Sequence, residues 1–115
     1  MANENHEAPF SVEVEAKDGV TIVHCRGRLV AAACNLLQAE VKPLLKANHR
    51  VVLDLTDLRR MDSMGLGTVM SLLASAKRAN CKLELINLAK QIRQLFAISN
   101  LLELFEGAGG STLIP

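Results

Sequence analysis

Five residues near the middle of the chain, Val51-Val52-Leu53-Asp54-Leu55, restrict the possible folds more than any other stretch. A short apolar run bounded by polar residues predicts a central strand covered on both faces. Thr56 to Asp62 reads as a connection, after which apolar residues return at helical spacing from Met64 to Ala79: Leu66, Val69, Met70, Leu72, Leu73 and Ala76. Lys77-Arg78 charge the last turn of that helix and Asn80 marks its stop. A covered strand that feeds a helix belongs in a sheet with helices packed on it.

The flanking segments extend this pattern. Residues 1 to 9 read as a short flexible arm. Phe10, Val12 and Val14 then alternate with Ser11, Glu13 and Glu15, the period-two signature of a half-buried strand. Lys17-Asp18-Gly19 predicts a turn, and Val20 to Cys25 a second strand pairing with the first as an antiparallel hairpin that ends at Gly27. Ala32 to Ala47 carries helical spacing through Ala33, Leu36, Leu37, Val41, Leu44 and Leu45, with a kink or interrupted last turns predicted at Pro43. Leu83 to Ile86 predicts another strand, and Ala89 to about Ile98 another helix with Ile92, Leu95 and Phe96 inward. Leu101 to Phe105 extends or caps that layer. Gly107 to Gly110 breaks it, leaving a tail over 107–115 whose Leu113 and Ile114 either form a last strand or stay loose. The expected fold is therefore α/β, a mostly parallel sheet with an antiparallel N-terminal strand and helices packed on it, in one domain over residues 10–106.

Composition excludes several functions. Half of the 115 residues are hydrophobic and only 3% aromatic, so Leu, Val, Ile, Ala and Met must build the core. Thirteen basic against 12 acidic residues, with no aromatic platforms, argue against nucleic acid as a partner. Cys25, Cys34 and Cys81 lack CxxC spacing, which argues against a disulfide framework or a zinc site and for a reducing cytoplasm. The polar N-terminus lacks the features of a secretory signal, and no apolar stretch reaches the roughly 20 residues of a membrane helix. A soluble protein without direct membrane insertion is expected.

In open sheets of this kind, functional groups gather where strands end and helices begin, and Asp62-Ser63-Met64-Gly65-Leu66-Gly67 lies at such a place. Ser63 has two readings. As an N-cap its hydroxyl accepts a hydrogen bond from a first-turn amide, a contribution of about 1 kcal/mol. Alternatively, the hydroxyl is exposed at the positive end of a helix dipole, where an added phosphate of roughly −1.5 to −2 charges would gain N–H partners and alter any covering interface. Gly65 and Gly67 would let another backbone come close. Met64 offers a flexible apolar contact or belongs to the core. Arg59 and Arg60 flank the segment as solvated cations that could meet acidic partner groups.

Other chemistry is weakly signalled. Asp54, Asp57 and Asp62 are read as solvated loop carboxylates rather than a magnesium cluster. His24 is read as a plain strand residue and His49 as a turn residue, while Cys25 and Cys34 are small core groups. A hydrolase would need Gly-x-Ser-x-Gly, and a nucleotide phosphate loop would need a lysine and different spacing. No enzyme, metal or cofactor is expected.

The string from Val51 through Leu58 and from Met61 through Gly67 strongly resembles the STAS domain of anti-sigma-factor antagonists. Gly27-Arg28-Leu29, Asn87-Leu88 with Ile92 to Phe96, and Ser99-Asn100-Leu101 to Phe105 resemble that family's elements in the family's order, so the resemblance covers about Phe10 to Glu106. It implies that Ser63 is phosphorylated by an anti-sigma factor that is itself a serine kinase, and that a metal-dependent serine phosphatase reverses the modification. Only the unphosphorylated antagonist then binds the kinase and frees the sigma factor. The contact surface it implies is Asp62, Ser63, Met64, Gly65, Leu66 and Gly67, with Arg60 beside it. The sequence departs from the family's pattern at Val30, where many antagonists carry an acidic residue near the phosphoacceptor, and at Met64, where a small polar residue is common. The alternative within the same family is an unphosphorylated accessory subunit of a membrane lipid-transport ATPase complex.

Overall fold

A computed structural model describes residues 9–98 and 112–114. Its elements are β1 (Ser11–Lys17), β2 (Val20–Leu29), α1 (Ala33–Ala47), β3 (Arg50–Met61), α2 (Ser63–Arg78), β4 (Lys82–Ile86), α3 (Lys90–Ile98) and β5 (Thr112–Ile114). The five strands form one sheet in the order β1-β2-β3-β4-β5. β1 runs antiparallel to β2, and every other neighbouring pair is parallel. The expected fold class holds. The expectations for the N-terminal arm, apart from Pro9, and for Leu101–Phe105 and Gly107–Gly110 lie outside the described residues. Of the two conformations open to Leu113 and Ile114, the strand is the one found, pairing with Leu85 and Ile86.

The hairpin follows from its turn. Asp18 and Gly19 take φ of 53° and 78°, the left-handed pair that matches the twist of two strands joined by a two-residue loop. Strand β1 starts one residue later than expected, at Ser11. Strand β2 does not end at Gly27 but continues to Leu29; Gly27 sits inside it at φ 92°, beside a register shift against β3. Only a residue without Cβ adopts that conformation at low cost.

Strand β3 is the spine of the sheet. Val52 and Leu53 point to opposite faces and both are buried, as expected for a strand covered on both sides. It runs longer than the sequence suggested: Thr56 to Met61 is strand, not connection, and pairs with β2 as far as Leu29↔Met61. The polar stretch Thr56-Asp57 and Arg59-Arg60 hid this, because here strand geometry is held by ladder hydrogen bonds to β2, with Leu58 alone fully buried.

Helices α1 and α2 pack side by side on the sheet, α1 against β2 and β3 and α2 against β3 and β4. Cys34, Leu37, Val41 and Leu45 form the buried stripe of α1, and Leu66, Val69, Leu72, Leu73 and Ala76 that of α2. Between them and β2, β3 and β4 lies a single aliphatic core that also takes in Ile92 and Phe96 of α3. The predicted interruption at Pro43 is not found: α1 is helical through Ala47. Pro43 is exposed, so the ring meets no core neighbour while Val41 and Leu45 anchor the turns around it. Asn80 takes φ 56° after α2, the left-handed residue that stops a helix.

Candidate functional site

The end of β3 and the start of α2 place the Asp62–Gly67 segment on the surface. Asp62, not Ser63, is the N-cap, which corrects the capping reading of the serine. Its backbone is extended, its Oδ1 accepts the N–H of Gly65 at 2.9 Å, and its carbonyl accepts the N–H of Leu66 at 2.9 Å. An aspartate caps as well as a serine and adds a negative charge beside the positive helix end. Ser63 is thereby displaced to the first helical position. It is exposed, and among the described residues its hydroxyl has no hydrogen-bond partner.

The residues singled out in the sequence divide in two. Asp62, Ser63, Gly67 and Arg60 are exposed, as is Met64 at 60%, which places its side chain on the surface rather than in the core. Gly65 and Leu66 are buried beneath them. The glycines have different roles. A Cβ on Gly65 would overlap the carbonyl oxygen of Leu29 and come within 2.9 Å of the Met61 Cγ, so the close backbone approach is an internal one, between α2 and the end of β2. A Cβ on Gly67 would meet nothing within 4 Å. At the end of β3, Arg59, Arg60 and Met61 line a groove of about 350 Å³ together with Gln91, Ile92 and Leu95 of α3.

Sequence reasoning missed a polar cluster on the sheet. His24 is more than a strand residue: its Nε2 lies 2.8 Å from Glu15 Oε1 and its Nδ1 lies 2.9 Å from Asp54 Oδ2. Asp54 is no solvated loop carboxylate, since its Oδ1 also accepts the Thr56 N–H and hydroxyl and the Asn87 amide. Hydrogen bonding to Glu15, opposed by burial and aided by Asp54, raises the His24 pKa above its ordinary value. Burial pulls the Asp54 pKa upward, but the hydrogen bonds from Thr56, Asn87 and His24 outweigh it and hold the pKa below the usual carboxylate value. A signal was available: a two-residue turn at 18–19 fixes Glu13 opposite His24 and puts Glu15 on the diagonal. Arg50, at the start of β3, pairs through Nε with the buried Glu84 at 2.7 Å.

Cys25 and Cys34 are core groups as expected, and burial pushes the Cys25 thiol up to about 12, far from a reactive thiolate. Among the described residues there is no cluster of His, Cys, Asp and Glu suited to a metal ion, and no helix is long and apolar enough to cross a membrane.

A mixed sheet entered by an antiparallel hairpin, with helices packed on it, is the architecture of a STAS domain. The sequence model of the STAS domain matches residues 11–113, and the chain belongs to that family. A candidate anti-sigma factor antagonist of Bordetella bronchiseptica, BtrV, is 33% identical over 89 residues, covering 76% of this chain and 77% of its own. Among solved structures, an anti-sigma factor antagonist from Mycobacterium paratuberculosis superposes with a TM-score of 0.78 at 18% identity, over 93% of this chain and 86% of the other. The Bacillus cell fate determinant SpoIIAA in its phosphorylated form gives 0.65 at 19% identity, over 91% and 90%. At such identities the two structures speak for the fold alone.

Proposed function

We propose that this chain is an anti-sigma-factor antagonist that binds an anti-sigma factor with serine-kinase activity and is switched off by phosphorylation of Ser63. The observation that carries this reading is the exposed hydroxyl at the first position of α2, left without a capping duty because Asp62 performs it. The similarity to BtrV supports the antagonist role, and the phosphorylated form of SpoIIAA supports phosphorylation as a modification of this fold. The contact surface is formed by Asp62, Ser63, Met64 and Gly67, with Arg60 beside it and with Gly65 and Leu66 fixing the helix beneath. Met64 supplies the apolar anchor, a thioether chain able to adapt to a partner pocket.

Phosphate on Ser63 adds about −1.5 to −2 charges next to the Asp62 carboxylate. A kinase surface complementary to the neutral serine then faces two adjacent anions. Like charges brought together at an interface are costly, so the modified form dissociates. ATP belongs to the kinase, and the metal of the reverse reaction to a serine phosphatase; no reaction is assigned to this chain.

Incubation with the cognate kinase and ATP is expected to shift wild type, but not Ser63→Ala, on a phosphate-affinity gel. An unshifted wild-type band would overturn the switch and leave the unphosphorylated transport-subunit role as the reading within the family. Ser63→Asp is expected to weaken kinase binding far more than Ser63→Ala does. Equal affinities for the two would remove the charge mechanism.

A further inference from the structure

The helical layer holds an uneven charge. Helices α1 and α2 carry four basic residues, Lys42, Lys46, Lys77 and Arg78, against the single acidic Glu40, although the whole chain is nearly balanced. Three of these cations converge. A groove of about 650 Å³ between the C-terminal halves of the two helices is lined by Lys42, Pro43, Leu45 and Lys46 from α1 and by Ser75, Arg78 and Ala79 on the α2 side. Glu40 is not among the lining residues; two positions before Lys42, it projects about 200° away around the helix.

Basic residues at helix ends ordinarily offset the helix dipole, so that role must be weighed first. Two C-termini present about half a negative charge each, roughly −1 together, and only Lys46, Lys77 and Arg78 lie in last turns. Lys42 does not. Three lining cations therefore exceed what the dipoles absorb. Among the described residues none of the three meets a carboxylate: Arg78 donates only to the Ser75 hydroxyl, at 3.2 Å. Lys42 and Lys46 stand one turn apart, about 6 Å along the axis, facing Arg78 across the groove. Pro43, Leu45 and Ala79 supply apolar wall.

We infer that this groove binds a small phosphorylated molecule of the diphosphate class, with the Lys42 and Lys46 ammonium groups and the Arg78 guanidinium holding the phosphates and Ser75 donating a further hydrogen bond. The volume lies within the range of small-molecule sites, and a concave site with convergent cations suits a compact polyanion better than an extended surface does. No aromatic residue lines it, so the ligand's non-phosphate part is bound without ring stacking. The groove opens at the far end of α2 from Ser63, about 22 Å along the helix axis, and the inference does not depend on the proposed switch.

Titration of the full chain with inorganic pyrophosphate, at fixed ionic strength and followed by amide chemical shifts, tests the inference. Saturable shifts confined to Lys42–Lys46 and Ser75–Ala79 are expected, weakened about tenfold or more by Lys46→Gln and by Arg78→Gln. A substitution outside the groove, Lys77→Gln, is expected to leave the affinity within about twofold, and near-identical thermal midpoints for all variants show that each folds. Absence of saturation at millimolar pyrophosphate, or equal weakening by Lys77→Gln, would overturn the site. Binding to phosphatidylserine vesicles without pyrophosphate binding would overturn it in favour of a membrane-surface patch.

Discussion

At the scale of single residues, the start of α2 separates two jobs that the sequence placed on one side chain. Asp62 closes the helix and Ser63 is left without a capping hydrogen bond. Asp62→Ala is therefore expected to lower stability by about 1 kcal/mol through the lost cap, whereas Ser63→Ala lowers it by much less; urea denaturation of the two variants reads the difference. The neighbouring glycines give opposite expectations. Gly65→Ala forces a methyl group into the Leu29 carbonyl, so overpacking of about 1–3 kcal/mol outweighs the gain in helix propensity. Gly67→Ala meets open space and is expected to stabilise by up to about 1 kcal/mol in the same measurement. If a partner's backbone approaches Gly67, that stabilised variant also binds less tightly.

At the scale of elements, His24 ties the edge strand β1 to the central strand β3. Carboxylates accept on both ring nitrogens, which requires the doubly protonated imidazolium. Because the folded pKa of His24 is raised, its stabilisation is complete below the unfolded value of about 6.5 and is lost as pH rises through the folded value. Asp54 runs the other way: its lowered pKa gives stability above about 4 that is lost as pH falls through the folded value. The stability difference between wild type and His24→Gln is thus expected to be greatest between about pH 5 and 6.5 and to shrink toward pH 9. Thermal unfolding across that range checks it, and a gap that widened with pH would contradict the clamp. Most element types were legible from periodicity, as in α2 and β4. The second half of β3 was not, because its exposed polar residues are held by pairing to β2, which no local pattern reports.

At the scale of the whole molecule, charge is sorted between the layers of a nearly neutral chain. The helices α1 and α2 are basic, while Glu13, Glu15, Asp54 and Asp57 gather on the hairpin and β3 around His24 and Arg26. The sheet is also longer than residues 10–106 would build, since β5 pairs with β4. A chain ending at Glu106 is expected to unfold at a lower temperature and to self-associate, because the edge of β4 loses its neighbour. Calorimetry with light scattering tests this, and an unchanged midpoint with a monodisperse solution would make β5 dispensable.

The sequence by itself determined the layered α/β class, the hairpin, the covered strand and the position of the candidate site, because burial periodicity and turn residues act over a few neighbours. The STAS resemblance rested on the same local strings. Only the tertiary structure decided which residue caps α2, which of two glycines is indispensable to packing, that His24 joins Glu15 to Asp54, and that Lys42, Lys46 and Arg78 share one groove. Each of these depends on groups brought together across strand or helix pairings, and distances of that kind are set by the packing of the whole core, not by the chain's local preferences.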